Sequence, residues 1–473
     1  MIGSSKLALR ARIVPTAGVI IFMFVALGLS AQSTVDGSST AAGASAVTLT
    51  VEQAVARAKT NQPLIRQALD AVEAARARVG EAQSAYFPMV SGTASYNRLS
   101  DESFAIASVL PPSLASQVPA AYKGLLEAPF SLVPLNNWDF NVGFNQVITQ
   151  FGRREMQVRL ARSGLASARI GVDQVTTAIS YQTVQVFYTV LFLQGQDKAL
   201  GEQYENLQQH LQVIKVREDT GSATRLEDLS TQVRMATLQS QRTDVESQFQ
   251  KQKIALCQLT GLDPSSDIVL SGDFLPGTAP GDDASLVNSA LQKRTDVRQA
   301  VEAEDAAGLN RRLASLSHWP TVSAHASVGY KNGGLPDINV PVFNWVAGVQ
   351  VNVPIFQGFL QERNQEEARK KLEGAKENTS AARLNATTQV LQAAQDVRAA
   401  RQQVQISAGA LDQARQMVDV AKVQYDIGVI SNLEYLDAQT ALETANLSNL
   451  AAMYKEVLSE YALRQAVGET LPE

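Results

Sequence analysis

The chain is written twice, and that duplication constrains its fold more than any other feature. "LTVEQAVARAKTNQPLIRQALDAVEAARARVGEAQSAYFPMVSGTASY", Leu49 to Tyr96, aligns with "ASLVNSALQKRTDVRQAVEAEDAAGLNRRLASLSHWPTVSAHASVGY", Ala284 to Tyr330, at an offset of 232. Gln67-Ala68 meets Gln299-Ala300, and Pro88 meets Pro320. Further on the offset falls to about 207: "GSATRLEDLSTQ" from Gly221 answers "GVISNLEYLDAQ" from Gly428, "LCQLTG" answers "LRQAVG", and Gly152 answers Gly358 within one residue. The change of offset places one extra segment of roughly 25 residues, containing "VLPPSLASQVP", between Tyr96 and Trp138 of the first half. A duplicated unit folds twice in the same way. Repeat 1 is therefore read as residues 49–270, repeat 2 as 284–473, with "SGDFLPGTAPGDD", 271–283, as the linker. Each repeat reads as helix, strand, strand, long helix, long helix, so the fold class is mainly α with a β portion.

Four segments alternate with period two. Trp138, Phe140, Val142 and Phe144 oppose Asp139, Asn141, Gly143 and Asn145. Val90, Ala94 and Tyr96 oppose Ser91, Thr93 and Ser95. Val322, Ala324, Ala326, Val328 and Tyr330 oppose Thr321, Ser323, His325, Ser327 and Gly329. Trp345, Ala347, Val349, Val351 and Val353 oppose Gly348, Gln350 and Asn352. Strands of about ten residues span a tilted bilayer crossing. Trp138, Tyr96, Tyr330 and Trp345 gather at the loop ends, where an aromatic girdle sits at a membrane interface. A soluble sheet packed on helices would alternate too, but its wet face would carry Lys and Glu. Here it is Ser, Thr, Asn and Gly, which suits a water-filled lumen. Four strands cannot close on themselves, and a lipid-facing sheet leaves no open edge. Two chains would give eight strands and a filled interior; three would give twelve and a channel.

The helices carry a different period. Ala386, Val390, Ala393, Val397, Ala400, Val404, Leu411, Ala414, Val418, Ala421 and Tyr425 step four and three residues apart, broken only by Ser407. That is a heptad seam about 60 Å long. Ala161, Leu165, Ala168, Val172, Val175 and Ile179 repeat it in the first half.

The N-terminus reads as a cleaved export signal, residues 1–31. Lys6, Arg10 and Arg12 precede an apolar run from Ile13 to Leu29, and "GLSAQ" offers small residues for cleavage. A Ser/Ala/Gly-rich linker, 32–48, follows. Removing the signal takes three cations and no acids from 41 basic and 46 acidic residues, leaving a net charge of −8. No later window is apolar enough for a transmembrane helix, and no block of like charge points to nucleic acid. Cys257 is the single cysteine, so it reads as a small packed residue with no disulfide and no lipid anchor. His210, His318 and His325 have no metal-ligand spacing. There is no phosphate loop and no nucleophile elbow. The reading is of a non-enzyme without metal or cofactor.

In this order, twice over, these motifs resemble the TolC-like outer membrane factor family. The resemblance is carried by "YFPMVSG" and "HWPTVSA", by "VPIFQG" after the fourth strand, and by the paired turns "GSATRLEDL" and "GVISNLEYLDAQTA", and it covers about residues 49–470. It implies a homotrimer whose twelve strands form one β-barrel in outer membrane lipid and whose helices form an α-barrel tunnel in the periplasm. Trp138, Phe140, Val142, Phe144, Val349 and Val351 would then face lipid.

In that family the helix-turn-helix tips close the periplasmic entrance. By resemblance the gate residues are Tyr425, Glu434, Asp437 and Glu227. Glu434 stands where the family usually has Asp. The arginine that the best-known member carries two residues after the second glycine is Ile430 here, which leaves Arg225 as its substitute. The tips, with Gly221, Leu226, Gly428 and Leu433, would also dock a periplasmic adaptor (membrane fusion protein) that joins the duct to an inner-membrane transporter of RND, ABC or MFS type, for efflux or type I secretion. The alternative is a non-transporting coiled-coil scaffold attached to the outer membrane.

Overall fold

The computed structural model describes residues 47–100, 119, 134–274, 281–332 and 339–469. The segment read as a signal, nearly all of the first linker, most of the inserted segment and residues 275–280 of the second linker lie outside the described residues. The chain runs β1 (Val47–Leu49), α1 (Val51–Asn61), α2 (Pro63–Ser84), β2 (Met89–Arg98), β3 (Asn136–Thr149), α3 (Arg153–Asp219), α4 (Arg225–Thr260) and β4 (Ile268–Leu270). It continues with α5 (Asp283–Lys293), α6 (Thr295–Ser315), β5 (Thr321–Lys331), β6 (Val342–Asn352), α7 (Leu360–Asp426) and α8 (Asn432–Val467).

The duplication is reproduced element by element. α3 and α7 each have 67 residues, and their return helices α4 and α8 each have 36. At 1.5 Å per residue the long helices extend about 100 Å. The opening helix of each repeat is in fact two helices. Gln62 and Arg294 adopt extended ψ values of 124° and 131°, and the chain restarts at Pro63 and Thr295. Pro63 signals its break openly; the second repeat breaks at the same place without a proline. Both breaks serve the return helices. Gln62 Nε2 donates to the carbonyls of Gln258 and Leu259, and Arg294 donates to the carbonyl of Ala466, so the last orphan carbonyls of α4 and α8 are satisfied. The structure also refines the Gly152–Gly358 pairing. Two successive left-handed residues precede each long helix, Phe151 and Gly152 in one repeat and Gly358 and Phe359 in the other. The glycine sits at the second place in one and the first in the other, which is why the sequences align only within one residue.

β2, β3, β5 and β6 form one antiparallel sheet in that order. Its register puts Phe140 opposite Ala94 and Tyr330, Val142 opposite Gly92 and Val328, and Phe144 opposite Val90 and Ala326. Val328 in turn meets Trp345, and Ala324 meets Val349. All four apolar sets therefore share one face, as the alternation requires. Asn141, Asn145, Ser327, His325, Gly348 and Gln350 share the other. β6 begins three residues before Trp345, adding Phe343 beside Tyr330, and ends at Asn352, so Val353 lies past it. The apolar face is exposed among the described residues: Trp138, Phe140, Val142 and Phe144 are open to solvent, and Val349 is 66% accessible. Such a continuous apolar surface is stable only against lipid or another protein.

In the helical region most of the second-half seam from Ala386 to Tyr425 is buried, including Ser407, whose hydroxyl meets Asn449 on α8; Ala393 and Val404 are half-buried, and Ala394 takes the core place beside Ala393. The first-half seam is only half-covered above Ile179; Val158, Ser163 and Ile170 are the buried residues there. β1 pairs in parallel with β4 and packs over Val184, Phe187, Leu256 and Cys257. Val47 and Thr48 thus belong to a strand and not to a loose linker, and Cys257 is a packed core residue. Among the described residues no helix is long and apolar enough to cross a membrane.

Arginine at the bilayer midplane of a barrel costs about 2–4 kcal/mol. Phe140→Arg or Val349→Arg should accordingly reduce the yield of heat-modifiable oligomer in outer-membrane fractions, while Asn141→Arg should assemble normally. Equal loss on both faces would show that the lipid face has been misassigned.

Candidate functional site at the helix tips

At the far end from the sheet, α3 turns into α4 and α7 into α8. Both turns pass through a left-handed glycine, Gly221 at φ 73° and Gly428 at φ 76°, a conformation that favours glycine. Both then start the return helix with a reciprocal capping box, Thr224 with Glu227 and Ser431 with Glu434. Glu227 and Glu434 are thus equivalent residues of the two repeats with a shared local duty, which the sequence reading had not assigned to them.

Beyond capping their partners differ. Glu434 accepts from the amide and hydroxyl of Ser431 at 2.7 and 2.9 Å, which hold its carboxyl below the usual range. It faces solvent, as does Asp437, and both line a groove of about 580 Å³ between α7 and α8 together with Val420 and Ile430. Glu227 reaches the other repeat: Tyr425 donates its hydroxyl to Glu227 Oε2 at 3.3 Å. Two of the gate residues named by resemblance are therefore brought together, across 198 residues of chain. Arg225 is not. Its guanidinium pairs with the fully buried Asp228 and lies 4.0 Å from Glu218, all within the first repeat. Within the protomer the ion pairs of Arg225 go to Asp228 and Glu218, and not to Glu434 or Asp437.

The cation at the junction is Arg217, the basic residue of the last turn of α3. It binds Asp426 at 3.2 Å and lies 4.9 Å from the centre of the Tyr425 ring. Behind it stands a buried cluster the sequence analysis did not anticipate. His210 is wedged against Tyr425 and Tyr435, and Asn432 bridges His210 to the carbonyl of Glu227. Burial pushes the Tyr425 and Tyr435 hydroxyls up from their ordinary values. Only the stepping of Tyr425 and Tyr435 by ten residues along two joined helices hinted at this cluster; the histidine lies 215 residues away from Tyr425 in sequence.

The tips expose apolar side chains among their polar ones. Leu226 and Leu433, at equivalent places in the first turns of α4 and α8, are 74% and 66% accessible, and Ile427 and Val429 flank Gly428 in the open. Among the described residues no group of three or more His, Cys, Asp or Glu could hold a metal ion.

Comparison with known proteins agrees with this architecture. The family model described as outer membrane efflux protein matches residues 54–262 and 286–469, the two repeats. The chain belongs to that family, and it is accordingly an outer membrane transport protein acting in efflux. It is 24% identical over 428 residues to outer membrane protein TolC of Vibrio cholerae, covering 88% of this chain and 90% of that one. Its fold is similar to that of VceC from Vibrio cholerae, with TM-score 0.71, 17% identity and coverage of 89% and 96%. It is also similar to the CmeC channel of Campylobacter jejuni, with TM-score 0.72, 18% identity and coverage of 88% and 85%.

Removing the side chain of Asn432 would strand the buried His210 nitrogen and open the junction of four helices. Loss of a buried hydrogen-bonding partner costs about 1–3 kcal/mol. Asn432→Ala should lower the thermal stability of the assembled protein in detergent, whereas Leu433→Ala, next to it and exposed, should change it by less than about 0.5 kcal/mol. Equal melting temperatures for the two variants would show that the cluster bears no weight.

Proposed function

We propose that three copies form one continuous duct, a twelve-stranded barrel in the outer membrane joined to a helical tunnel in the periplasm. The duct passes solutes delivered by a periplasmic adaptor and an inner-membrane transporter. The observation that carries this reading is the sheet: among the described residues it has four strands, an exposed apolar face, and no pairing partner on the outer edges of β2 and β6. A coiled-coil scaffold standing in the periplasm has no use for such a sheet, whose edges would template aggregation in water. Export through the N-terminal segment 1–31, read as a cleaved signal, supplies the route. The exposed Leu226 and Leu433 on paired tips are the surface offered to the adaptor. The work of transport is left to the pump.

The tips act as the periplasmic gate. Threefold symmetry makes Glu434 and Asp437 each a ring of three carboxylates, and rings of acids favour cations and attract multivalent ones. Tyr425 and Glu227, with Arg217 and Asp426, hold the two tips of each protomer together and the entrance narrow. Mass measurement in detergent should return a trimer, and a stable monomer would refute the duct. In planar bilayers the channel should conduct poorly, prefer cations and be blocked from the periplasmic side by a trivalent cation. Glu434→Gln combined with Asp437→Asn should abolish the block. A double variant blocked as strongly as the unmodified protein would move the rings elsewhere.

A further inference from the structure

His210 lies on α3, eleven residues before Gly221, and contacts α7 and α8 at the tips. Its ring centre is 4.5 Å from that of Tyr435 and 5.1 Å from that of Tyr425, and those two tyrosines stack at 5.5 Å. Its Nε2 lies 2.8 Å from Asn432 Oδ1. Asn432 directs its amide hydrogens to the Glu227 carbonyl and to the hydroxyls of Ser230 and Thr231, at 3.4–3.5 Å. Its oxygen is left to accept, so Nε2 is the donor and carries the hydrogen of the neutral ring. Through these contacts one imidazole touches α7 at Tyr425 and α8 at Asn432 and Tyr435, and it reaches α4 through Asn432. Tyr425 is the residue that closes on Glu227.

We propose that His210 is a positioning residue of the gate and its proton switch: neutral, it wedges Tyr425 against Glu227 and keeps the tips together; protonated, it favours their parting. The inference rests on the reading of the tips as the gate. The charged and titratable groups around the ring come from every neighbouring element: Arg217 from α3, Glu227 from α4, Tyr425 and Asp426 from α7, and Tyr435 from α8. Burial is the largest influence on the ring. It acts with Arg217 against the charged form; the Asn432 hydrogen bond, Asp426 and Glu227 favour it, and the balance leaves the pKa below its ordinary value. A ring released from the two tyrosines regains water and the ordinary pKa of about 6.5. Between the lowered value and about 6.5 the parted state therefore binds more protons than the packed one. A fall in pH through that interval shifts the tips toward parting. Below the lowered value both states hold the proton and the shift stops growing.

The test is single-channel recording of the assembled protein in planar bilayers from about pH 7.5 to about pH 5, the range in which histidine changes charge. The unmodified channel should show a stepwise rise in open probability on acidification. His210→Gln keeps a neutral donor for Asn432 and cannot titrate in this range. It should keep the low open probability of neutral pH and lose the acid step. His210→Ala, which removes the wedge, should open more at every pH and show no step. Tyr425→Phe serves as the control for the gate itself and should open more already at neutral pH. An acid step that survives in His210→Gln, or its absence from the unmodified channel, overturns the switch while the Tyr425→Phe result keeps the gate in place. If Tyr425→Phe also leaves conductance unchanged, the gate reading falls with it.

Discussion

The rest of the structure follows from backbone hydrogen bonds that one protomer cannot make. Among the described residues β2 and β6 each pair on one side only, and their sheet leaves an apolar face exposed. In lipid an unpaired strand edge costs several kcal/mol for each unsatisfied group, and in the proposed duct further copies of the same sheet complete these edges. Once closure is demanded of the sheet it is imposed on the helices too, because every strand runs into a helix within a few residues. The half-covered seam at Ala161, Leu165 and Ala168 is consistent with this. A surface that looks under-packed in one protomer is the surface a neighbouring copy would cover.

The two repeats share a backbone and differ in chemistry where it matters. Element boundaries agree almost to the residue at offsets of 232 and 207, down to the paired capping boxes at the tips. Yet Glu227 meets Tyr425 while its counterpart Glu434 faces an open groove, and Asp228, buried against Arg225, corresponds to Tyr435 in the aromatic cluster. Duplication supplied a symmetric frame of antiparallel helices. Divergence at a handful of positions then made the tips complementary instead of identical, which lets one repeat grip the other.

Helix capping and the contact proposed to gate the tips converge on one residue. Glu227 closes the capping box of α4 and accepts the Tyr425 hydroxyl. A change there would act on helix initiation and on the inter-repeat contact together. Tyr425, buried with its hydroxyl on Glu227 and no part in helix capping, separates the two roles more cleanly. The same logic makes Asn432 informative, since it starts α8 and at the same time ties His210 to α4.

Much of this was written in the sequence, for reasons that are local. Period-two alternation placed Phe140 and Val349 on the apolar side because successive strand side chains point to opposite faces whatever surrounds them. The heptad steps from Ala386 to Tyr425 predicted a buried seam because helical spacing fixes which residues share a face. Repeat offsets located both tips, and family resemblance selected Tyr425 and Glu227. What the sequence could not decide was which residues from separate helices meet. The break at Arg294 has no proline to announce it and goes with the single α8 carbonyl, that of Ala466, to which Arg294 donates. Arg225 enters the gate reading as the substitute for the family arginine; within the protomer it pairs with Asp228, and the cation beside Tyr425 is Arg217. His210 looked like an isolated histidine. Only the packing of four helices, bringing residues 210, 425, 432 and 435 within contact, turned it into the centre of the tips, because contacts between chain-distant side chains are set by tertiary geometry and leave no period in the sequence.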